Sequence, residues 1–293
     1  MTENRDTPEG LAFALGAYGF WGFLPLYLKL LDHIPAVEVV AHRVIWSVPI
    51  AGAVLVVLGR TDTLRAALRD PRALFMACVT AVLISINWGV YVYAIASDQT
   101  VQAALGYYIN PLFSVLIGAV FLREKLDALQ WTAIATAGAA VIVLTLDAGE
   151  VPLIALVLML SFGFYALCKK QLPIGPNQGF LLEVLILSVP GVIYLGWLEA
   201  SGAGSFGDDT LLLLGCGIVT AVPLMLYANA AKRLRLSTIG IMQYIAPTMI
   251  LIIAVFYFGE PFGRARAIAF PMIWAALVLY SISLFRQVRR ARA

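Results

Sequence analysis

Four ionisable side chains interrupt otherwise apolar stretches of this chain: Glu38, His42 and Arg43 in one cluster, and Glu183 by itself. Charge within an apolar segment is costly to desolvate, so each is a candidate functional group. Glu38 and His42 are four residues apart and share a helix face, which Trp46 continues. Arg43 points about 100° round from His42 on such a helix, so Glu38 cannot pair with both equally well. An Arg about 10–12 Å from the helix start needs a carboxylate, carbonyls or water nearby. Two readings stay open for this trio: charge coupling, anion binding or gating by Glu38, His42 and Arg43, or an interfacial Glu with an Arg that bonds helix to helix. Glu183 lies close to the end of its segment and reads as solvated. Lys169 and Lys170 end another segment, where cationic stems snorkel to the interface, and read as structural.

Uncharged polar and aromatic groups recur in the same runs. Asn87 and Tyr91 are four apart with Trp88 beside them, and Tyr227 with Asn229 occupies a comparable place later in the chain. Together they offer a polar, aromatic wall, although Tyr and Trp also populate interfacial belts. Two longer motifs, Tyr107-Tyr108-Ile109-Asn110-Pro111 and Gln243-Tyr244-Ile245-Ala246-Pro247, each bring a proline into an apolar run.

Catalytic chemistry finds no support in the residue pattern. There is no G-x-x-x-x-G-K-[ST] phosphate loop, H-E-x-x-H or G-x-S-x-G. The only histidines are His33 and His42, and every Asp lies in a loop or tail. Cys78, Cys168 and Cys216 have no pair spacing and read as buried, reduced thiols. The expectation is a protein that is not an enzyme, with no catalytic residue, no metal site and no cofactor.

The elements that position these groups follow from composition. Of 293 residues, 61% are hydrophobic and 13% charged, and mean hydropathy is +0.90. A soluble domain has roughly 45–50% apolar and about 25% charged residues, so a water-soluble globule is excluded. Lys and Arg total 20 against 17 acids; that near balance argues against a nucleic-acid partner. The solvent is a lipid bilayer. Continuous apolar runs without alternation imply helices, not barrel strands. Taking about 20 residues per crossing, spans fall near 11–29, 36–58, 73–96, 100–122, 128–146, 151–171, 178–198, 210–231, 237–258 and 266–285.

Ten spans put both ends on one side, and the Lys/Arg distribution decides which. Sixteen cations, among them Arg60, Arg65, Arg69, Arg72, Arg123, Lys125, Lys232, Arg233 and Arg235, fall on one face, against Lys29, Arg264 and Arg266 on the other. Both termini are therefore expected in the cytoplasm. Residues 1–10 carry a net charge of −2, the wrong sign for a cleaved leader, so the first span is expected to be retained.

Sliding the chain by 136 residues places Tyr108-Ile109-Asn110-Pro111 on Tyr244-Ile245-Ala246-Pro247, Glu124 on Glu260 and Tyr91 on Tyr227. Five spans per half is odd, so the second half enters the membrane in the opposite sense. That is inverted-repeat architecture, which gives one central site opening alternately to each side. Chance similarity of apolar segments is the competing explanation, and the independent charge topology weighs against it. Both motifs lie about 12–16 Å into their spans, near the midplane. There Pro111 would free the carbonyl of Tyr107 and Pro247 that of Gln243, so both are expected as helix breaks facing a central site, the alternative being that each proline only kinks a helix packed against its neighbours.

Three segments are specific as a set: Ala41-His42-Arg43-Val44-Ile45-Trp46-Ser47, Ala104-Leu105-Gly106-Tyr107-Tyr108-Ile109-Asn110-Pro111, and Leu234-Arg235-Leu236-Ser237-Thr238-Ile239-Gly240 followed by Gln243-Tyr244-Ile245-Ala246-Pro247-Thr248. In these the chain resembles the RarD branch of the EamA group within the drug/metabolite transporter superfamily, over essentially its whole length. The resemblance implies two EamA-type repeats of five helices, a bacterial inner-membrane location and a carrier of small metabolites or drugs. It also implies a central cavity lined by the third, fourth, eighth and ninth helices, with the fifth and tenth at the edge. Ala246 departs from the pattern, because relatives often carry Gly there.

The resulting expectation is an all-α polytopic membrane protein with a cytoplasmic tail at 1–10, a first five-helix repeat at 11–146, an inverted second repeat at 151–285 and a basic cytoplasmic tail at 286–293. Its activity would be secondary transport of amino-acid-like or amphipathic solutes by alternating access, with protons as a candidate coupling ion. Substrate contacts are assigned to Trp88, Tyr91, Tyr107, Tyr108, Asn110, Tyr227, Gln243 and Tyr244, and coupling or gating to Glu38, His42 and Arg43. The expected partners are a small-molecule substrate and the lipid bilayer, with the oligomeric state left open. The rival is a membrane scaffold or sensor that transports nothing.

Overall fold

A computed structural model describes residues 7–57, 59, 64, 68–121, 126–149, 151–205, 207–234, 238 and 242–290. Among them the chain forms α1 (Pro8–Lys29), α2 (Ala36–Val57), α3 (Pro71–Ala96), α4 (Thr100–Phe121), α5 (Ala128–Ala148), α6 (Leu153–Gln171), α7 (Pro176–Ala200), α8 (Thr210–Arg233), α9 (Ile245–Ile252, continued by a π turn over Ile253–Tyr257) and α10 (Arg264–Arg290). Eight are long and apolar enough to cross a bilayer, whereas α6 and α9 are shorter apolar helices. At about 1.5 Å per residue, a 22-residue helix such as α1 matches the roughly 30 Å hydrocarbon thickness.

The helix starts are written locally. Thr7 accepts the amide of Gly10 and Pro8 opens α1; Asp70 accepts that of Arg72 before Pro71. Asp127 and Gln130 form a capping box on α5. The cap on α4 is not local. Gly259, at φ 69°, turns the chain after α9, and the Glu260 carboxylate then accepts the amides of Thr100 at 2.6 Å and Val101 at 2.8 Å. A carboxylate there satisfies two orphan donors and complements the helix dipole.

Polar contacts sort the helix ends onto two faces. On the termini face, Arg233 meets Thr7 and Glu9, and Ser283 donates to Asp127. On the distal face, Lys29 pairs with Asp32 and Asp98 and His33 with Asp209. Inside, small residues let helices approach: α5 and α10 meet through Ala133, Ala137, Ala140, Ala269 and Ala276. A Cβ on Gly106 would lie 2.7 Å from the Ala155 carbonyl, so glycine is required where α4 crosses α6. Large apolar side chains such as Val57, Leu211 and Phe256 point outward, as lipid contact demands.

Helix pairing follows an exchange pattern. α1 packs on α8 and α6 on α3; α4 on α6 and α9 on α1; α2 on α8 and α7 on α3; while α2 with α7, α4 with α9 and α5 with α10 are self-matched pairs. The α2–α8 seam is more extensive than its counterpart between α3 and α7.

The expected spans agree with the helices to within a few residues except at the two last. The ninth was expected over 237–258, yet Gln243 and Tyr244 form a turn and helix begins at Ile245. Pro247 is thus in the first turn of α9, where its missing N–H costs no intrahelical bond, and it does not break a continuous helix. Pro111, in contrast, lies inside α4. The basic segment expected as a tail from 286 continues α10 through Arg290. Glu124, Arg123, Lys125 and the segment 235–237, used for the repeat and topology, lie outside the described residues.

Candidate functional site

Arg43 is the centre of the site. It stands seven residues into α2 and is 3% exposed. Its Nε donates to Thr220 Oγ1 on α8 at 3.0 Å, and its guanidinium carbon lies 5.0 Å from the centre of the Trp88 ring on α3. Tyr27, Tyr91, Tyr107 and Cys216 also surround it. Among the described residues no carboxylate pairs with it, and Nη1 has no hydrogen-bond partner. A buried guanidinium held by a hydroxyl and a π face, with one edge unsatisfied, is a charged group without internal neutralisation.

The wall around it is ordered by a short network. Tyr107 on α4 donates to Asn87 Oδ1 at 3.0 Å. Asn87 in turn donates to the Leu158 carbonyl and to Ser161 Oγ on α6, each at 3.1 Å. The Tyr107 ring meets Tyr91 at 5.6 Å and Phe162 at 6.2 Å, both edge to face, a favoured aromatic geometry. Tyr91 is buried and its hydroxyl, like Arg43 Nη1, has no partner. Counted along their helices, Arg43, Asn87, Trp88, Tyr91, Tyr107, Phe162 and Thr220 all lie about 8–15 Å from the distal ends, close to the midplane.

The expected site residues therefore divide. Trp88, Tyr91 and Tyr107 gather with Arg43, which belongs to this cage, whereas Glu38 is held by Ser205. Tyr227 lies elsewhere on α8, packed with Tyr18 at 6.1 Å and Trp21 at 5.8 Å. Tyr108 turns to the opposite side of α4: its hydroxyl meets Thr248 Oγ1 at 2.7 Å and its ring packs on Phe270 and Trp274 of α10. Tyr244 stands beside Gln243 and Tyr280, and Asn110 is buried with Oδ1 unpartnered. Pro111 follows Asn110 within α4.

Glu38 is 1% exposed and is engaged by the loop between α7 and α8, accepting the Ser205 amide at 2.8 Å and its hydroxyl at 3.4 Å. His42 Nδ1 accepts the Trp46 indole N–H at 3.2 Å. Glu183, expected to be solvated, is 1% exposed. It pairs with Lys169 at 2.6 Å and accepts the Tyr165 hydroxyl at 3.2 Å, because α7 turns it toward α6. Cys78, expected buried, is on the outer surface, while Cys216 is buried. Thr220, Phe162 and Glu260 were missed. Only Glu260 left a signal, as the carboxylate aligned with Glu124 in the 136-residue repeat. Among the described residues no cluster of His, Cys, Asp and Glu could hold a metal ion.

Ten helices, eight of them long and apolar enough to cross a bilayer, around one buried polar and aromatic cluster define a multi-pass membrane protein. The EamA-like transporter family matches residues 8–146 and again 151–282, so the chain belongs to that family, and its relatives put it in the RarD branch. It is 40% identical over 297 residues to Protein RarD of Streptomyces exfoliatus, covering 100% of this chain and 94% of that protein. It is 41% identical to the uncharacterized transporter YojE of Bacillus subtilis, covering 99% and 98%, and 37% identical to Protein RarD of Escherichia coli, covering 98% and 99%. A crystallised protein of 19% identity superposes with a TM-score of 0.63 over 95% of this chain and 98% of its own, a likeness of fold.

Proposed function

We propose that this protein is a secondary carrier that moves a small amphipathic organic solute by alternating access, binding it in the Arg43 cage. The observation that carries the reading is the cage itself: a buried, unneutralised guanidinium walled by Trp88, Tyr91 and Tyr107 where α2, α3, α4, α6 and α8 meet. A scaffold gains nothing from so costly a group at that depth. The exchange-related helix pairing, with α2–α8 more extensive than α3–α7, supports two inverted repeats caught in one of two related arrangements.

The distal face is then the closed gate. Glu38 holds the 201–209 loop through Ser205, Glu260 ties the end of α9 to α4, and Tyr27 donates to the Leu212 carbonyl. In this reading Glu38 and His42 act in gating, Tyr227 lines the path toward the termini face, and Tyr108, Gln243 and Tyr244 form the moving seam with α10. The termini are assigned to the cytoplasm: the distal Lys29 is neutralised by Asp32 and Asp98, leaving the cation excess opposite. A proton gradient is the coupling force we assign for testing.

The test is solute-independent. Thr220→Cys and Phe162→Cys, each in a background lacking Cys78, Cys168 and Cys216, are exposed to a membrane-impermeant thiol reagent from each side. Labelling from the termini side is expected. If neither position reacts from either side under any gradient, the cage has no water path and the scaffold reading replaces the carrier.

A further inference from the structure

The polar groups that face the cage are one-sided. Arg43 supplies a permanent positive charge with Nη1 unpartnered, and Tyr91 supplies an unpartnered hydroxyl. Tyr107 spends its own proton on Asn87. Of the rest of the guanidinium, Nε is taken by Thr220 and one face by Trp88. What the site lacks is an acceptor carrying negative charge, and no carboxylate of the described residues provides it.

We infer that the transported solute is a monocarboxylate with an aromatic or branched apolar body, its carboxylate seated against Arg43 Nη1 and the Tyr91 hydroxyl. This rests on the carrier reading above. A neutral solute would leave the buried guanidinium uncompensated, and a cation would double the charge in an apolar surround. A dianion such as a phosphate monoester would bring two negative charges to one cation. A single carboxylate closes the balance and uses both orphaned donors in charge-assisted hydrogen bonds. Phe162, Trp88 and the Tyr107 ring leave apolar and π surface for the rest of the molecule.

The experiment uses the full chain in proteoliposomes with three probes, benzoate, 3-phenylpropionate and indole-3-acetate, each matched to its uncharged primary amide. Binding and uptake are measured for wild type, Arg43→Gln, Arg43→Lys and Tyr91→Phe. At least one carboxylate should bind saturably and at least tenfold more tightly than its amide. Arg43→Gln should abolish that preference and Arg43→Lys retain part of it. Tyr91→Phe should weaken the carboxylate about tenfold, the loss of one hydrogen bond to a charged group, without changing the amide. If Arg43→Gln fails to fold, Tyr91→Phe carries the comparison. Equal binding of acids and amides, or no saturable binding of any carboxylate, overturns the inference. The carrier reading survives either result if Thr220→Cys is labelled, so the two failures are distinguishable.

Discussion

Replacing Lys169 by Met isolates the Glu183 carboxylate, which is 1% exposed while Lys169 is 20% exposed. The 2.6 Å contact between them is charge-assisted, and removal leaves the carboxylate, among the described residues, only the Tyr165 hydroxyl. Breaking a buried pair by deleting one partner costs about 3–5 kcal/mol, because the surviving charge is desolvated and unpaired. The reverse change, Glu183→Gln, leaves an ammonium whose flexible stem can reach water. Lys169→Met should therefore cost near the top of that range, about 4–5 kcal/mol, and Glu183→Gln about 3 kcal/mol or less. The double variant removes both desolvated charges and should return to within about 1 kcal/mol of wild type. Unfolding of the purified protein in mixed detergent micelles, followed by circular dichroism, gives all three values. Single variants that unfold within about 0.5 kcal/mol of wild type, or a double variant as unstable as the sum of the singles, would refute the reasoning and return Glu183 to solvent.

Other changes probe the helix seams and the distal gate. Glu260→Ala removes the carboxylate from the α4 N-terminus, and amide exchange at Thr100 and Val101 should accelerate about tenfold or more; unchanged exchange would show that the cap is dispensable. Gly106→Val pushes a side chain into the Ala155 carbonyl, so α4 and α6 must separate. A stability loss of about 1–3 kcal/mol in thermal melts is expected, and a neutral result would mean that the crossing is looser than drawn. Glu38→Gln weakens the hold on the 201–209 loop. A cysteine at Ser201 should then be labelled faster from the distal side than in the Glu38 background, and equal rates would detach Glu38 from gating. Tyr107→Phe leaves Asn87 Oδ1 unbonded, and a cost of about 1–2 kcal/mol in the same micelle assay is expected.

The sequence by itself determined the solvent, the helical class and nearly all of the element boundaries. A bilayer forces every span to satisfy its own backbone over about 20 apolar residues, and that requirement is local to each segment. It also determined that Arg43, Trp88, Tyr91 and Tyr107 were worth attention, since polar and aromatic groups stand out against such a background. The rotation of each helix was not available. Lipid is as apolar as a helix interior, so no apolar stripe marks the inward face, and Tyr107 and Tyr108 were equivalent until packing separated them. Only the tertiary structure turned Tyr107 toward Arg43 and Tyr108 toward Phe270. It alone drew Glu183 to Lys169, Glu38 to Ser205 and Glu260 to the α4 N-terminus. Those partners lie 14, 167 and 160 residues apart in the chain, and no periodicity within one span records a neighbour on another.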